Sequence, residues 1–392
     1  MSLKSDKKWI WPKEKTNLEK LSNTLLELRD ISNSEEFLNP KLENIPDYTH
    51  LYGAKKAAKA VVKAVKEDKK IVIHGDYDAD GISATSILWE FLYRDLSKFL
   101  DKQIEVVPFI PNRTDQGYGL TKSSIDECLG IGADMILTVD CGIRDKKLIN
   151  KYLEKGNLQF VITDHHQVPE DILEDVKYPI VHQRFPKHKY VDVEVCGAFV
   201  AFLLIQAIKA QVGMDIEITE KTQGLDLVAL ATITDIMKLK SVNRIVVKYG
   251  LKQMKSHNRL GLKSLIEKAG VDINQLDTYH LGFIIGPRIN ASGRIDTALD
   301  AVKLMVSNDP KLCMELASKL DYLNFERQKM TSQALSEAKK LVNADRKVIC
   351  ILGNDWHEGI VGLIAGKLNE EFHRPTLIAT NINGEMKGSA RS

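Results

Sequence analysis

Between Ala54 and Asp164 the chain alternates helical and strand-like patterns. The helical segments read AKKAAKAVVKAVKEDK, ATSILWEFLYRDL, SSIDECLG and KKLINKYLEK, and the strand-like ones KIVIHG, QIEVVPFI, DMILTVD and QFVITD. Short β-branched runs separated by helices predict an α/β fold with a mainly parallel sheet covered on both faces. Two further helical stretches follow, FVAFLLIQAIKAQV and LDLVALATITDI. Residues 310–342 then form one long polar helical pattern without an internal proline or glycine, the pattern of a connector between domains. After it, KVICILG, IVGLIAGKLNEEF and TLIAT begin a second, smaller α/β unit. The expected organisation is an N-terminal extension over 1–50, an α/β domain over 51–309, a connecting helix over 310–342 and the start of a second α/β domain over 343–392. A stretch this short is small for an independent domain, so this unit is expected to be incomplete at its C-terminus.

Aspartates and histidines gather where the strand-like runs end: HGDYDADG at 74–81, TVDCG at 138–142 and TDHH at 163–166, with ATITD at 231–235 closing a helix. Ligands of open parallel sheets collect at the carboxyl ends of the strands. Four separate Asp/His clusters there describe a metal site assembled by the fold. Hard divalent cations take oxygen ligands with some imidazole, and two such ions can share one bridging carboxylate while activating water. One such motif alone reads as a turn or helix cap. Four together point to metal-dependent hydrolysis, with a phosphate ester as the fitting substrate.

Composition narrows the setting. The chain has 392 residues, 44% apolar and 28% charged, which fits a folded globular protein and excludes a disordered or fibrous class. A formal charge of +2 means that any nucleic-acid role must come from a local basic groove. The five cysteines show no C-x-x-C spacing, which suits a reducing compartment and excludes a zinc knuckle or disulfide frame. The longest apolar stretch, Cys196 to Ile208, falls well short of the ~20 residues of a membrane helix, and the N-terminus lacks a signal-peptide apolar core. A cytoplasmic protein without a membrane span is expected.

HGDYDADG, VDCG, TDHH and Asp235 resemble the successive motifs of the DHH phosphoesterase superfamily, named for the triplet Asp164-His165-His166. GPRINASGRID (286–296), LNFERQ (323–328), WHEGIVGLIAGKL (356–368) and KGSARS (387–392) narrow the resemblance to the RecJ-type exonucleases, over nearly all of 40–392. The resemblance implies two divalent ions, manganese or magnesium. His74, Asp78 and Asp140 would hold one, and Asp80, Asp140, His165 and Asp235 the other, with Asp140 bridging. His166 would stand beside the scissile phosphate or complete the second ion's ligands. Asp76 and Asp164 would orient ligands from behind, and an activated water would be the nucleophile.

Cationic donors are needed for a phosphodiester, and the arginine fork matches phosphate oxygens well. Arg113, Arg288, Asn290, Arg294, His357, Ser389 and Arg391 are the candidates for substrate contact. Gly388-Ser389 could offer backbone N–H groups as an anion-binding nest. Tyr118 and Trp356 could stack on bases, although burial in the core is the expected fate of each. His182 is expected to be a surface or structural residue. The resemblance implies removal of mononucleotides from the 5′ end of single-stranded DNA in recombination and repair. It also implies a monomer acting beside a helicase and a single-strand-binding protein. An oligoribonuclease, a cyclic-dinucleotide phosphodiesterase and a catalytically idle scaffold are the alternatives. The family pattern continues beyond KGSARS, so the chain is expected to be a C-terminally incomplete copy.

Overall fold

The computed structural model describes residues 21–392 except 113–115, 157, 174–175, 186–187, 192, 257–258, 344 and 383. Five parallel strands form the larger sheet: β1 (Ile71–Gly75), β2 (Val106–Phe109), β3 (Met135–Val139), β4 (Gln159–Asp164) and β5 (Ile180–His182), in the order β2-β1-β3-β4-β5. The alternating pattern is thus realised as the expected mainly parallel sheet. The three-residue β5 is an addition too short to announce itself. Alternate strand residues feed different cores. Ile71, Ile73, Met135 and Leu137 pack on one side with the helices Ala54–Lys66, Ala79–Glu90 and Gly197–Val212. Val72, Ile136, Phe160 and Ile162 pack on the other, beside the helices Lys122–Gly130 and Lys146–Leu153.

The order places a topological switch between β1 and β3, because the chain leaves β1 toward β2 on one side and returns to build β3 on the other. Crevices at such points receive ligands. The last registered pair is Gly75 with Val139, so Asp76 and Asp140 emerge side by side just beyond the sheet. The chain then turns sharply into the helix Ala79–Glu90. A Cβ on Gly81 would lie 2.4 Å from the Asp76 carbonyl oxygen, so only glycine permits this turn.

A long helix runs over Pro310–Lys340, 31 residues and about 46 Å from end to end. Cys313, Leu316, Ala317 and Leu320 belong to the core of the large sheet. Ala334 and Ala338 belong to a separate core built by the helix Glu358–Phe372 and a three-stranded sheet. That sheet has β6 (Ile349–Gly353) parallel to β7 (Thr376–Ile382), and β7 antiparallel to β8 (Glu385–Arg391). KGSAR therefore lies on a strand. Gly388 pairs with Ala379 and Ser389 with Ile378, an extended ladder that replaces the expected nest, which needs alternating right- and left-handed backbone.

A buried ion cluster ties the helices behind the sheet together. Arg259, 11% exposed, places Nη1 2.8 Å from Glu90 and Nε 2.7 Å from Asp226, and Nη1 also donates to the Met305 carbonyl at 2.6 Å. Removing the cation would leave two carboxylates buried together, a loss of about 3–5 kcal/mol for such pairs. Arg259→Ala is expected to lower the stability measured by urea unfolding by that order. A loss below about 1 kcal/mol, the size seen for surface pairs, would show the cluster to be dispensable.

Candidate metal centre

Two of the acidic side chains at the switch point, Asp78 and Asp80, are held by helix N-termini. Asp78 caps the helix Ala79–Glu90, its Oδ1 accepting from the N–H groups of Asp80 at 2.9 Å and Gly81 at 3.1 Å. Asp80 reaches across to the N-terminus of the helix Gly197–Val212. Its Oδ2 accepts from Gly197 N at 2.6 Å and its Oδ1 from Ala198 N at 2.7 Å. The residue before that helix, Cys196, supplies no side-chain cap, so a remote aspartate does the capping. Asp140 follows β3 in the left-handed region with φ of 61°, a conformation aspartate tolerates better than most residues. A Cβ on Gly197 would sit 2.7 Å from the Cβ of Asp140, so that glycine lets the carboxylate and the helix terminus share the space.

The DHH triplet is organised by its first member. Asp164 Oδ1 accepts from the backbone N–H of His165 at 2.7 Å and of His166 at 3.0 Å, and lies 2.8 Å from His166 Nδ1; Oδ2 accepts from Ile143 N at 3.0 Å. Burial pushes the Asp164 carboxyl up, but the His166 side chain and these N–H groups outweigh it and hold the carboxyl below the usual range. The same hydrogen bond raises the His166 imidazole. His182 supports the turn, with Nε2 2.8 Å from the His166 carbonyl, so its structural role has a defined target.

His165 Nε2 lies 3.0 Å from Asp140 Oδ1 and 3.6 Å from both Asp80 Oδ2 and Asp235 Oδ2. Ligand atoms of Asp80, His165 and Asp235 fall within 4.8 Å of one another; so do those of Asp140, His165 and His166, and those of Asp76, Asp78 and Asp140. Asp140 belongs to two of these groups. Neither Asp140 Oδ1 nor Asp235 Oδ2, both buried, accepts a hydrogen bond among the described residues. Buried carboxylate oxygens left in this state, together with imidazole nitrogens, form a donor set that suits hard divalent cations.

Asp76, expected behind the ligands, groups with Asp78 and Asp140. His74 is outside that group, but its buried Nε2 has no hydrogen-bond partner among the described residues, the state of a nitrogen open to an ion. His74 still lies within β1, packed in the sheet. Its ring centroid is 5.2 Å from that of Phe109 on β2, and its Nδ1 is 3.6 Å from Cys141 Sγ. Burial lowers its pKa to about 4, leaving a neutral imidazole.

The substrate candidates divide. A cleft of about 1150 Å³ between the two lobes is lined by Arg294, Ser389 and Arg391 together with Lys367, Lys387 and Glu358. Arg288 is instead bound to Asp321 of the long helix at 2.9 Å and to the Ile284 carbonyl at 2.7 Å. Asn290 accepts from Ala79 N at 2.7 Å, clamping the HGDYDADG turn. His357 caps the helix Glu358–Phe372 through Gly359 N at 3.0 Å. Arg288 and Asn290 are thus engaged by tertiary ties and His357 by a local cap, and Arg113 lies outside the described residues. Trp356 is in the second core, bonded to Glu337 at 2.8 Å, as expected for burial. Tyr118 is not buried. It is 47% exposed at the cleft, with its hydroxyl 3.1 Å from His166 Nε2. Tyr77, Ile236 and Phe283 also line the cleft. No sequence pattern distinguishes these three from core residues.

This sheet order and carboxylate–imidazole cluster define a class, and the model of the DHH family, N-terminal domain, matches residues 70–232. The single-stranded-DNA-specific exonuclease RecJ of Bacillus subtilis (strain 168) is 36% identical over 387 residues, covering 97% of this chain and 47% of that protein. RecJ of Haemophilus influenzae is 33% identical, covering 95% of this chain and 65% of that protein. The crystal structure of an exonuclease RecJ bound to manganese superposes with a TM-score of 0.75 at 32% identity, over 87% of this chain and 82% of that one. The chain belongs to the RecJ family. It spans about half to two thirds of the length of these two curated relatives.

Burial, followed by neighbouring carboxylates, raises the pKa of Asp140, and burial raises that of Asp80 despite His165; burial and then Asp80 and Asp78 raise Asp235 to about 8. In the metal-free chain these carboxyls keep protons that the unfolded chain has lost above ~4, so their contribution to stability is present at low pH and is lost as pH rises toward about 8. Buried His74 and His182, both lowered, act oppositely below pH ~6.5, so the fall is read between ~6.5 and about 8, where the raised His166 imidazole adds to it in the same direction. The melting temperature of metal-free protein is expected to fall across that window and to recover with manganese. A flat metal-free profile would contradict this reading of the cluster.

Proposed function

We propose that the chain is the catalytic part of a single-stranded-DNA-specific 5′→3′ exonuclease working with two divalent ions, manganese or magnesium. The observation that carries this is the continuity between cluster and cleft. Tyr118 touches His166 and lines the same cleft as Arg294, Lys367, Ser389 and Arg391. The relatives are named single-stranded-DNA-specific exonucleases, and the first superposed structure holds manganese.

In this reading Asp78 and Asp140, with His74 or Asp76, would hold one ion, and Asp80, Asp140, His165 and Asp235 the other, Asp140 being common to both sets. When bound, two such ions activate a water and stabilise charge on the phosphate. The protein's groups position the rest. Asp164 orients His165 and His166 through its hydrogen bonds. His166, bonded to Asp164 and touched by Tyr118, stands between the cluster and the cleft. Arg294 and Arg391 supply fork-shaped donors for phosphate oxygens, while Tyr118 and Phe283 supply ring faces for unpaired bases. Selectivity for single strands follows from a groove too narrow for a duplex. A helicase and a single-strand-binding protein would supply the substrate in the cytoplasm, to a monomeric enzyme. Among the described residues no helix is long and apolar enough to cross a membrane.

Digestion of 5′-phosphorylated single-stranded DNA in manganese is expected to release mononucleotides, with RNA, duplex and dinucleotides poorer substrates. Asp140→Ala should cost more than ~100-fold, beyond the usual effect of residues that only support ligands. Preference for dinucleotides, or activity that survives Asp140→Ala, would overturn the assignment.

A further inference from the structure

The cleft holds a carboxylate that the proposed reaction does not use. Glu358 opens the helix Glu358–Phe372 and lines the cleft. Its side chain is only 10% exposed, with Oε2 2.7 Å from Lys387 Nζ, and its buried Oε1 accepts no hydrogen bond among the described residues. Lys387, Ser389 and Arg391 alternate along β8 and so share one face of the strand. Their partners on β7 are Thr380, Ile378 and Thr376, all buried. One turn beyond Glu358, a Cβ on Gly362 would come 3.3 Å from Ser389 Oγ and 3.5 Å from Arg391 Nη2. The ion pair thus sits at the end of a row of groups suited to phosphate.

The geometry points to Glu358 as the residue that limits how tightly this cleft grips a strand, by holding the half-buried Lys387 in an ion pair from its own nearly buried carboxylate and so withdrawing one cation from the row. The inference rests on the proposed reading of the cleft as a nucleic-acid channel. A phosphate approaching Lys387 must compete with a carboxylate at 2.7 Å. A cation engaged in this way adds little to affinity and releases few counterions. An enzyme that advances one nucleotide at a time must also let go. Grip that is equal in ground and transition states lowers KM without raising turnover, and it slows release.

Steady-state degradation of 5′-phosphorylated single-stranded DNA in manganese, followed over a salt series, tests this. Glu358→Gln keeps the shape but removes the charge. It is expected to lower KM several-fold, lower kcat, and steepen the dependence of log(1/KM) on log salt by about 0.7, the value for one added contact on a single strand. These changes should vanish in Glu358→Gln/Lys387→Gln. The double variant leaves neither charge unpaired, so its KM and salt dependence should stay near wild type, which keeps the test valid should Glu358→Gln fold poorly. An unchanged or raised KM in folded Glu358→Gln, tightening that persists without Lys387, or a large change of KM in the double variant would each overturn the inference while the proposed function stands. A wild-type chain inactive on every single strand would sink both.

Discussion

The structure is organised around a crowd of negative charge that has to be held in place. Asp76, Asp78, Asp80, Asp140, Asp164 and Asp235 converge at one edge of the large sheet, four of them buried. Left alone, such a group would stay protonated or push the edge apart. The fold answers with fixed dipoles. Asp80 sits on the N-terminus of one helix, Asp78 caps another, and Asp164 is surrounded by three N–H groups of its own turn and the β3–helix loop. What these devices leave uncompensated falls on Asp80, Asp140 and Asp235, whose carboxyls are pushed up, and cations placed among them would favour their ionised forms.

Much else serves this arrangement. The 2-1-3-4-5 strand order opens the crevice, Gly81 and Gly197 remove the side chains that would close it, and Asn290 and Gly293 of the helix Gly286–Ile295 press on the loop that carries Asp78. That helix also meets the second lobe, where Arg294 donates to the Gly359 carbonyl at 3.1 Å. The long helix shares residues with both cores, so the metal cluster and the basic row on β8 are referred to one rigid element. A cleft whose two walls keep a set distance can hold a flexible strand against a fixed site, which is the positional part of catalysis.

The strands and helices of the large sheet were legible because buried parallel strands are β-branched runs and their helices carry regular apolar faces. The clustering of aspartates at strand ends was legible for the same reason. Local pattern could not reveal which residues long-range contacts would claim. Asn290 and Arg288 have the chemistry of substrate ligands, yet partners 211 and 33 positions away in the chain engage them. Asp76 falls among the candidate ligands because β1 ends at Gly75 and the chain turns there against Gly81, a contact that no local pattern announces. KGSAR has a composition poor in strand formers and becomes β8 only by pairing with β7. The Glu90–Arg259–Asp226 cluster draws on three helices' worth of sequence and leaves no local signature.

The central claim is that Asp140 is the shared corner of a centre for two ions. Electron paramagnetic resonance of the manganese-loaded chain, with metal content measured on the same sample, tests it most directly. Two manganese ions per chain with a spin-coupled spectrum are predicted for the wild type, and loss of the coupling for Asp140→Asn. A single uncoupled ion in the wild type, or coupling that persists in Asp140→Asn, would contradict the account.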